Sequence, residues 1–462
     1  MTLIIVSILL ISYILIATER LTNVNKAAVA IIAGTVGWVL YICYGSDFVM
    51  REHQGDYVDF LNGAVATSSA VKHYIAQNVF LKYVGKAAEV VLFLIATMTI
   101  VEILHNNGCF DFLTPWIRTR KSRKLLWQLS AITFILSANL DNLTTTVLML
   151  FIMHDLVSQR RQRMIYGSAV LIAANMGGAL TVIGDPAGIV LWNQNAVTAT
   201  GYSMSLLAPC LIAWILPTYL LGRMLPERVE IEWKPMPYRG DDTNLNNWQR
   251  LLMLFVGIGG LWFIPTFHSI TKLSPFLGAL CVLSVLWVVN EIFNHKLIRS
   301  GVMSERRIPR TLQYGSIQMI LFVMGIMLAV GVVQETGAVR WFAGVCDTYL
   351  HNIWIMGVLA SATSSVLDNF ATAQGFFSFY PVGDELTSSG YAANFALNGY
   401  YWKVIAYASA VGGNILAIGS MGGIILMNME RIHVGWFFRN VGYKALIGGA
   451  VGLIVMLITA LT

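Results

Sequence analysis

Runs of about twenty apolar residues follow one another along most of this chain, separated by short polar connections. A helix of that length crosses a hydrocarbon core of about 30 Å. Such runs fall at 2–18, 27–44, 87–107, 203–222, 249–267, 274–293, 311–333 and 442–461, and each predicts one span. Residues 45–85 break the pattern and are moderately polar, which predicts an external segment with an interfacial helix near 56–75.

Four further segments do not read as simple spans. Residues 125–158 would make a straight helix of about 50 Å, too long for the core. The polar stretch "SANLDN" (137–142) sits at their centre. Residues 351–383 are as long, with "SSVLDN" (364–369) at their centre. Segments 166–193 and 401–428 carry glycines in mid-span, in "NMGGALTVIGDPAG" (175–188) and "VGGNILAIGSMGG" (411–423).

Composition fixes the class. The chain is 56% hydrophobic and 12% charged, with mean hydropathy +0.66, where soluble domains carry about 25% charged residues. It is therefore a multi-pass membrane protein, expected in the inner membrane of a bacterium. The net charge of +6 does not call for nucleic acid, because the basic residues fall in short connections where the positive-inside rule expects them. Arg20 and Lys26 follow the first apolar run, which lacks a basic leader and reads as a retained span with its N-terminus outside. Five scattered cysteines show no metal or redox spacing.

Charge also sets the topology. Arg118, Arg120, Lys121, Arg123 and Lys124 precede 125–158, and Arg160, Arg161 and Arg163 follow it. One crossing would split them between two faces. A re-entrant hairpin opening to the cytoplasm, with its tip near Asp141, keeps them together. Residues 351–383 have no close Lys or Arg and are followed by "VGDEL" (382–386), so that hairpin is expected to open outward. The basic connections at 223–250, 294–310 and 429–440 then face the cytoplasm. The expected fold is an all-α inverted-repeat transporter with about ten transmembrane helices, two re-entrant hairpins and two broken helices.

The repeat is written in the residues. Ser137, Leu140, Asp141, Asn142 and Thr145 recur as Ser364, Leu367, Asp368, Asn369 and Thr372 at an offset of 227. Gly177, Gly178, Ile183 and Gly184 recur as Gly412, Gly413, Ile418 and Gly419 at an offset of 235. "FLIATM" (93–98) corresponds to "FVMGIM" (322–327). Five spans separate the units, so the second lies upside down. In such transporters the substrate site lies near the midplane, where broken helices meet. Non-helical backbone survives at that depth only inside protein or along a wet cavity. Freed carbonyls, hydroxyls, asparagine oxygens and a carboxylate make a hard-oxygen cage for sodium or lithium. One half-site is expected to set Ser137, Asp141, Asn142 and Thr145 against the loop around Asn175–Asp185. The other sets Ser364, Asp368, Asn369 and Thr372 against the loop holding Gly412, Asn414 and Ser420. A proton and a cation competing for one such carboxylate suffice for antiport. Two mid-membrane aspartates would repel an anionic substrate.

On these motifs the chain resembles the NhaD-type sodium/proton antiporters of the ion transporter superfamily. "LSANLDNLTTT" (136–146) and "GGNILAIGSMGGIILMNMERIHVGWFF" (412–438) carry the likeness, which covers roughly 85–460. "IGDP" (183–186) is more similar to the arsenite and citrate branches, since Pro186, Ala187 and Gly188 stand where threonines are expected. The resemblance implies sodium or lithium efflux driven by inward proton movement. It also implies a homodimer with scaffold and transport domains working as an elevator. It assigns ion handling to Asp141, Asn142, Thr145, Asp185, Asp368 and Asn369. The domains are expected as 1–85 (scaffold and external segment), 86–225 (first repeat core), 226–310 (second scaffold pair) and 311–462 (second repeat core).

Other groups carry weaker signals. Glu89 and Glu102 share one apolar span, and either can relay protons. His105 and His154 lie near cytoplasmic ends, where interfacial packing is expected rather than pH sensing. Glu335 and Asp347 flank the outer hairpin and are expected to be solvated. Trp127, Tyr166 and Trp402 are expected to mark interfaces. No catalytic constellation appears, so no enzyme and no cofactor are expected beyond the transported ions. Gly184–Asp185–Pro186 is no phosphate loop, and no connection is long enough for a nucleotide domain. Two other readings remain: a sodium-coupled symporter of a small anionic or neutral solute on the same fold, and a channel-like pathway.

Overall fold

The computed structural model describes residues 1–110, 117, 119–229, 245–299, 314–383 and 390–461. Much of the expected cytoplasmic connections, over 230–244 and 300–313, and the acidic residues 384–385 lie outside them. The described chain is helical, with two isolated β-bridges. It begins with α1 (Thr2–Ala17) and α2 (Lys26–Cys43), and α3 (Leu81–Asn106) follows after the segment 45–80. Then come α4 (Ser122–Ser137), α5 (Asn142–Leu156), α6 (Arg160–Leu180), α7 (Pro186–Asn193) and α8 (Ala199–Gly222). The middle holds α9 (Asn247–Thr271), α10 (Pro275–Arg299), α11 (Tyr314–Glu335) and α12 (Ala338–Tyr349). The chain ends with α13 (Ile353–Ser364), α14 (Asn369–Phe377), α15 (Tyr400–Gly412), α16 (Met421–Met429) and α17 (Val434–Leu461). Seven of the described helices are long and apolar enough to cross a membrane.

The four anomalous segments are all interrupted where the polar residues fall. Asp141 is extended (φ −66°, ψ 147°) and caps α5 by accepting the Thr144 amide at 2.8 Å. Asp368 is extended likewise and caps α14 through the Phe370 amide at 3.0 Å. Asp185 caps α7 through the Ala187 amide at 2.9 Å, with Pro186 opening the helix, where a missing N–H costs nothing. Ser420 caps α16 through the Gly423 amide at 3.1 Å.

The interruptions dock in pairs with one geometry. The Asn142 amide donates to Gly184 O at 3.0 Å, and the Asn369 amide to Gly419 O at 2.9 Å. Ser137 Oγ donates to Ala174 O, and Ser364 Oγ to Ser409 O, both at 2.6 Å. Donors exposed by one break thus meet carbonyls exposed by the other, which keeps buried backbone satisfied. Glycine permits the approach: a Cβ on Gly177 would strike Phe134 O, and one on Gly412 would strike Ser361 O.

The connections gather at two ends. At one, Ser122 and Val229 bond backbone to Glu227 and Arg120, and Tyr166 donates to Ser122 O at 3.1 Å. Arg163 donates there to Val157 O and Ser158 O, and pairs with the buried Glu430, which also meets His154 at 3.0 Å. At the other, Tyr401 donates to Phe376 O at 2.6 Å, Tyr380 to Asp347 at 2.7 Å, and Thr198 N to Asn398 Oδ1 at 2.8 Å.

Four expectations need correction. The segment 45–85 is not one interfacial helix near 56–75. It forms helices at Gly45–Glu52, Gln54–Leu61 and Ser68–Tyr74, broken where Asn62 and Gly63 take positive φ, and the last runs through a π-helical stretch into α3. Trp402 and Tyr166 are fully buried between helices, their polar atoms satisfied by Ala396 O and Ser122 O, rather than at an interface. Glu335 is not solvated, because His53 Nε2 lies 2.5 Å from one oxygen and Tyr83 donates to the other at 2.7 Å. Asp347 is likewise engaged, by Tyr380.

The His53–Glu335 pair predicts a pH dependence. The hydrogen bond to Glu335 raises the His53 pKa, burial opposes it, Asp56 adds to it and Lys82 subtracts. A base whose folded pKa is raised contributes stability below its unfolded pKa, about 6.5, and that contribution fades as pH rises through the higher folded value. The difference in melting temperature between parent and His53→Gln in detergent should be largest below about pH 6 and shrink in alkaline buffer. A difference that grows with pH would contradict the pairing.

Packing of α2 on α11 uses small residues, as membrane interfaces do. A Cβ on Gly34 would lie 3.1 Å from Gly325 O, and one on Gly37 2.7 Å from Val332. This close seam carries Lys26, the first residue of α2, into the protein interior. Lys26 is 5% exposed, so it is not the solvated flank that the charge pattern suggests.

Candidate functional site

The interruptions meet around a small cavity of about 20 Å³, room for one or two water-sized bodies. Its polar wall is Asn142, Asn175, Asp368, Asn369 and Ser420, and its apolar wall includes Met319, Phe322 and Val323 of α11. Asp141 and Asp185 directly precede Asn142 and Pro186 in the chain and are not part of the lining itself.

The centre of the polar network is Asp185, 4% exposed. Its Oδ2 accepts from Asn142 at 2.7 Å and from Asn369 at 3.3 Å, so one carboxylate ties together both "LDN" motifs. Across the cavity, Asn175 donates to Asn414 at 2.8 Å and lies 3.4 Å from Ser420 Oγ. The side chains therefore cross between the two motif sets. Expectation kept Asn369 with the 412–420 loop; only its backbone amide goes there, and its side chain reaches Asp185.

The two aspartates of the motifs are served unequally. Asp141 is 2% exposed, and its Oδ2 accepts from no protein donor. Asp368 Oδ2 lies 2.6 Å from Lys26 Nζ. The hydroxyls of Thr145 and Thr372 are buried without a protein partner, while those of Ser137 and Ser364 donate to carbonyls and keep their lone pairs. Glu89 and Glu102 are partly buried in α3 and outside the cavity wall, with Glu102 accepting from Asn106 at 3.1 Å.

Thus the side-chain bonds form two sets, Asn142–Asp185–Asn369 and Asn175–Asn414–Ser420, and Asp368 walls the same cavity as Asn142, Asn369, Asn175 and Ser420. Lys26 is the residue that motif reading missed. A lysine at the start of an apolar run looks like any basic flank, and nothing local distinguishes it. Chemically the site offers carboxylate, amide and hydroxyl oxygens in a dry setting, a ligand type that suits a small hard cation.

Comparisons with known proteins point the same way. The family described as citrate transporter (CitMHS) matches residues 13–412. That stretch begins well before residue 85, so it takes in α2 and Lys26, which the motifs left out. A relative named Sodium/proton antiporter 1, from Arabidopsis thaliana, is 31% identical over 376 residues, covering 80% of this chain and 61% of its own length. This chain thus spans about three fifths of that relative. Sodium/proton antiporter 2 of the same plant is 28% identical over 376 residues, covering 81% and 86%. Na(+)/H(+) antiporter NhaD of Vibrio parahaemolyticus is 24% identical over 374 residues, covering 76% and 84%.

Proposed function

Since the chain belongs to the citrate transporter family and is similar to relatives named sodium/proton antiporter, among them NhaD of Vibrio parahaemolyticus, we propose that it is a sodium (or lithium)/proton antiporter. It would export the cation in exchange for protons. The observation that carries this reading is the pair Asp141 and Asp185. Both carboxylates are buried, and among the described residues neither forms an ion pair with a basic side chain. Such a group needs a cation or a proton to be tolerable at that depth. A site that accepts either one, never both, exchanges them.

The proposed mechanism draws on these contacts. Sodium would be held by Asp141, Asp185 and the Asn142 and Asn369 carbonyl oxygens, with Thr145 adding its hydroxyl. Protonation of the carboxylates would release it. Two folded-back helix pairs, α4–α5 and α13–α14, would carry the site in inverted orientation. Support comes from the start of α4 and the residues after α5 meeting α6 at one end, while Phe376 and Tyr380 join Asp347 and Tyr401 at the other. An elevator movement of these pairs with their broken helices, against a scaffold including α2 and α11 in a homodimer, completes the proposal. The domain limits expected from sequence are part of it.

The family's description favours one second reading, sodium-coupled uptake of a carboxylate such as citrate. The cavity of about 20 Å³ argues against it, being too small for a tricarboxylate. The buried carboxylates would also repel one. In proteoliposomes holding a pH gradient, adding sodium should collapse the gradient, and Asp141→Asn should lower the rate by at least about tenfold, the equivalent of ~1.4 kcal/mol. Labelled citrate entering together with sodium, without proton countermovement, would replace antiport by symport.

A further inference from the structure

The two "LDN" breaks carry the same residues, and in each the aspartate caps the following helix, yet a positive charge occupies only one of them. Asp368 and Lys26 meet at 2.6 Å with side chains 5% and 6% exposed. Lys26 lies 342 positions away in sequence, on a helix outside the two matched segments. Its ammonium also stands 4.7 Å from the centre of the Phe322 ring, whose face attracts a cation. Phe322 and Asp368 both wall the cavity. Carboxylate, aromatic face and cavity wall therefore converge on one charge, and the chain itself supplies it. The equivalent oxygen of Asp141 receives no such partner.

We propose that Lys26 is a tethered cation standing in for a second sodium ion, so that each chain binds one sodium, in the Asp141–Asp185 half. The inference rests on the antiport reading above. A sodium ion on Asp368 would meet the ammonium at close range, where charges repel strongly in a medium of low dielectric. The remaining ligands of that half persist: the Asp368 carboxylate walls the cavity, and the Thr372 hydroxyl is buried without a protein partner. Taking the ammonium away should therefore leave a usable cation site rather than a ruined one.

Equilibrium binding of radiolabelled sodium to the purified full-length protein tests this. The parent should bind one sodium per chain and Lys26→Met two, and the second should vanish again in Lys26→Met/Asp368→Asn. Lys26→Arg should stay at one. These counts separate a cation surrogate from a merely structural ion pair, whose loss adds no site. A folded Lys26→Met that binds one sodium or none overturns the proposal. If Lys26→Met does not fold, the parent decides: two sodium ions on an exchanging parent overturn the tethered cation and leave antiport standing. A parent that neither binds sodium nor exchanges it removes the antiport reading itself.

Discussion

Asp185→Asn will raise the sodium concentration needed for half-maximal exchange by about 30-fold or more. The carboxylate accepts from three donors at once: the Ala187 amide on one oxygen, and the Asn142 and Asn369 amides on the other. Asparagine has one acceptor and one donor end. Whichever way it turns, an NH₂ group faces N–H donors, and the site also loses its negative charge. Removing one partner of a buried, hydrogen-bonded charged contact costs about 2–5 kcal/mol, or roughly 30- to 5,000-fold. A sodium titration of gradient collapse in proteoliposomes, with the protein monodisperse in detergent, measures it. A folded variant with the parent's sodium dependence would remove Asp185 from the site.

Gly419→Ala is the second large effect, and it acts on folding. A Cβ there would overlap Ser364 O and lie 3.0 Å from Leu367 O, while Gly419 O accepts the Asn369 amide. Neither side can retreat without breaking that bond. Overpacking costs about 1–3 kcal/mol when side chains can yield, and here the obstacle is backbone, so the upper end or beyond is expected. Against a total stability of about 5–15 kcal/mol this is severe. Gly184→Ala should behave alike, since its Cβ would lie 2.5 Å from Ser137 O. Gly85→Ala, with no atom beyond its own helix within 4 Å, should be neutral or slightly stabilising, since alanine is favoured in a helix interior. Melting temperatures in detergent compare the three. Equal values for Gly419→Ala and Gly85→Ala would show that the two breaks do not dock as described.

Much of this architecture was legible because membrane-depth polarity is costly and therefore rare. The positions of Asp141, Asp368, Gly184 and Gly419 fell where the helices are indeed interrupted, and the offsets of 227 and 235 reappear in paired hydrogen bonds such as Ser137–Ala174 and Ser364–Ser409. Periodicity gave no hint of which side chain would cross to which partner. Asn369 reaching Asp185, and Asn175 reaching Asn414, depend on how four helix ends meet in space. Lys26 was illegible for a different reason: the positive-inside rule counts charges without asking whether one turns inward. Burial of Trp402 and Tyr166 misled in the same manner, because an aromatic ring with a polar tip suits a lipid boundary and a helix seam equally well.

The ion pair of Lys26 and Asp368 also sets a schedule for biogenesis. The lysine leaves the ribosome 342 residues before its carboxylate. At about 5–20 residues per second, that is roughly 17–70 s. Throughout that interval α2 carries an unneutralised ammonium, and the later amide partners of Asn175 and Asp185 do not yet exist. The nascent first half therefore lacks these partners until Asp368, Asn369 and Asn414 have been made, and the cavity closes late in synthesis, once both motif sets are present.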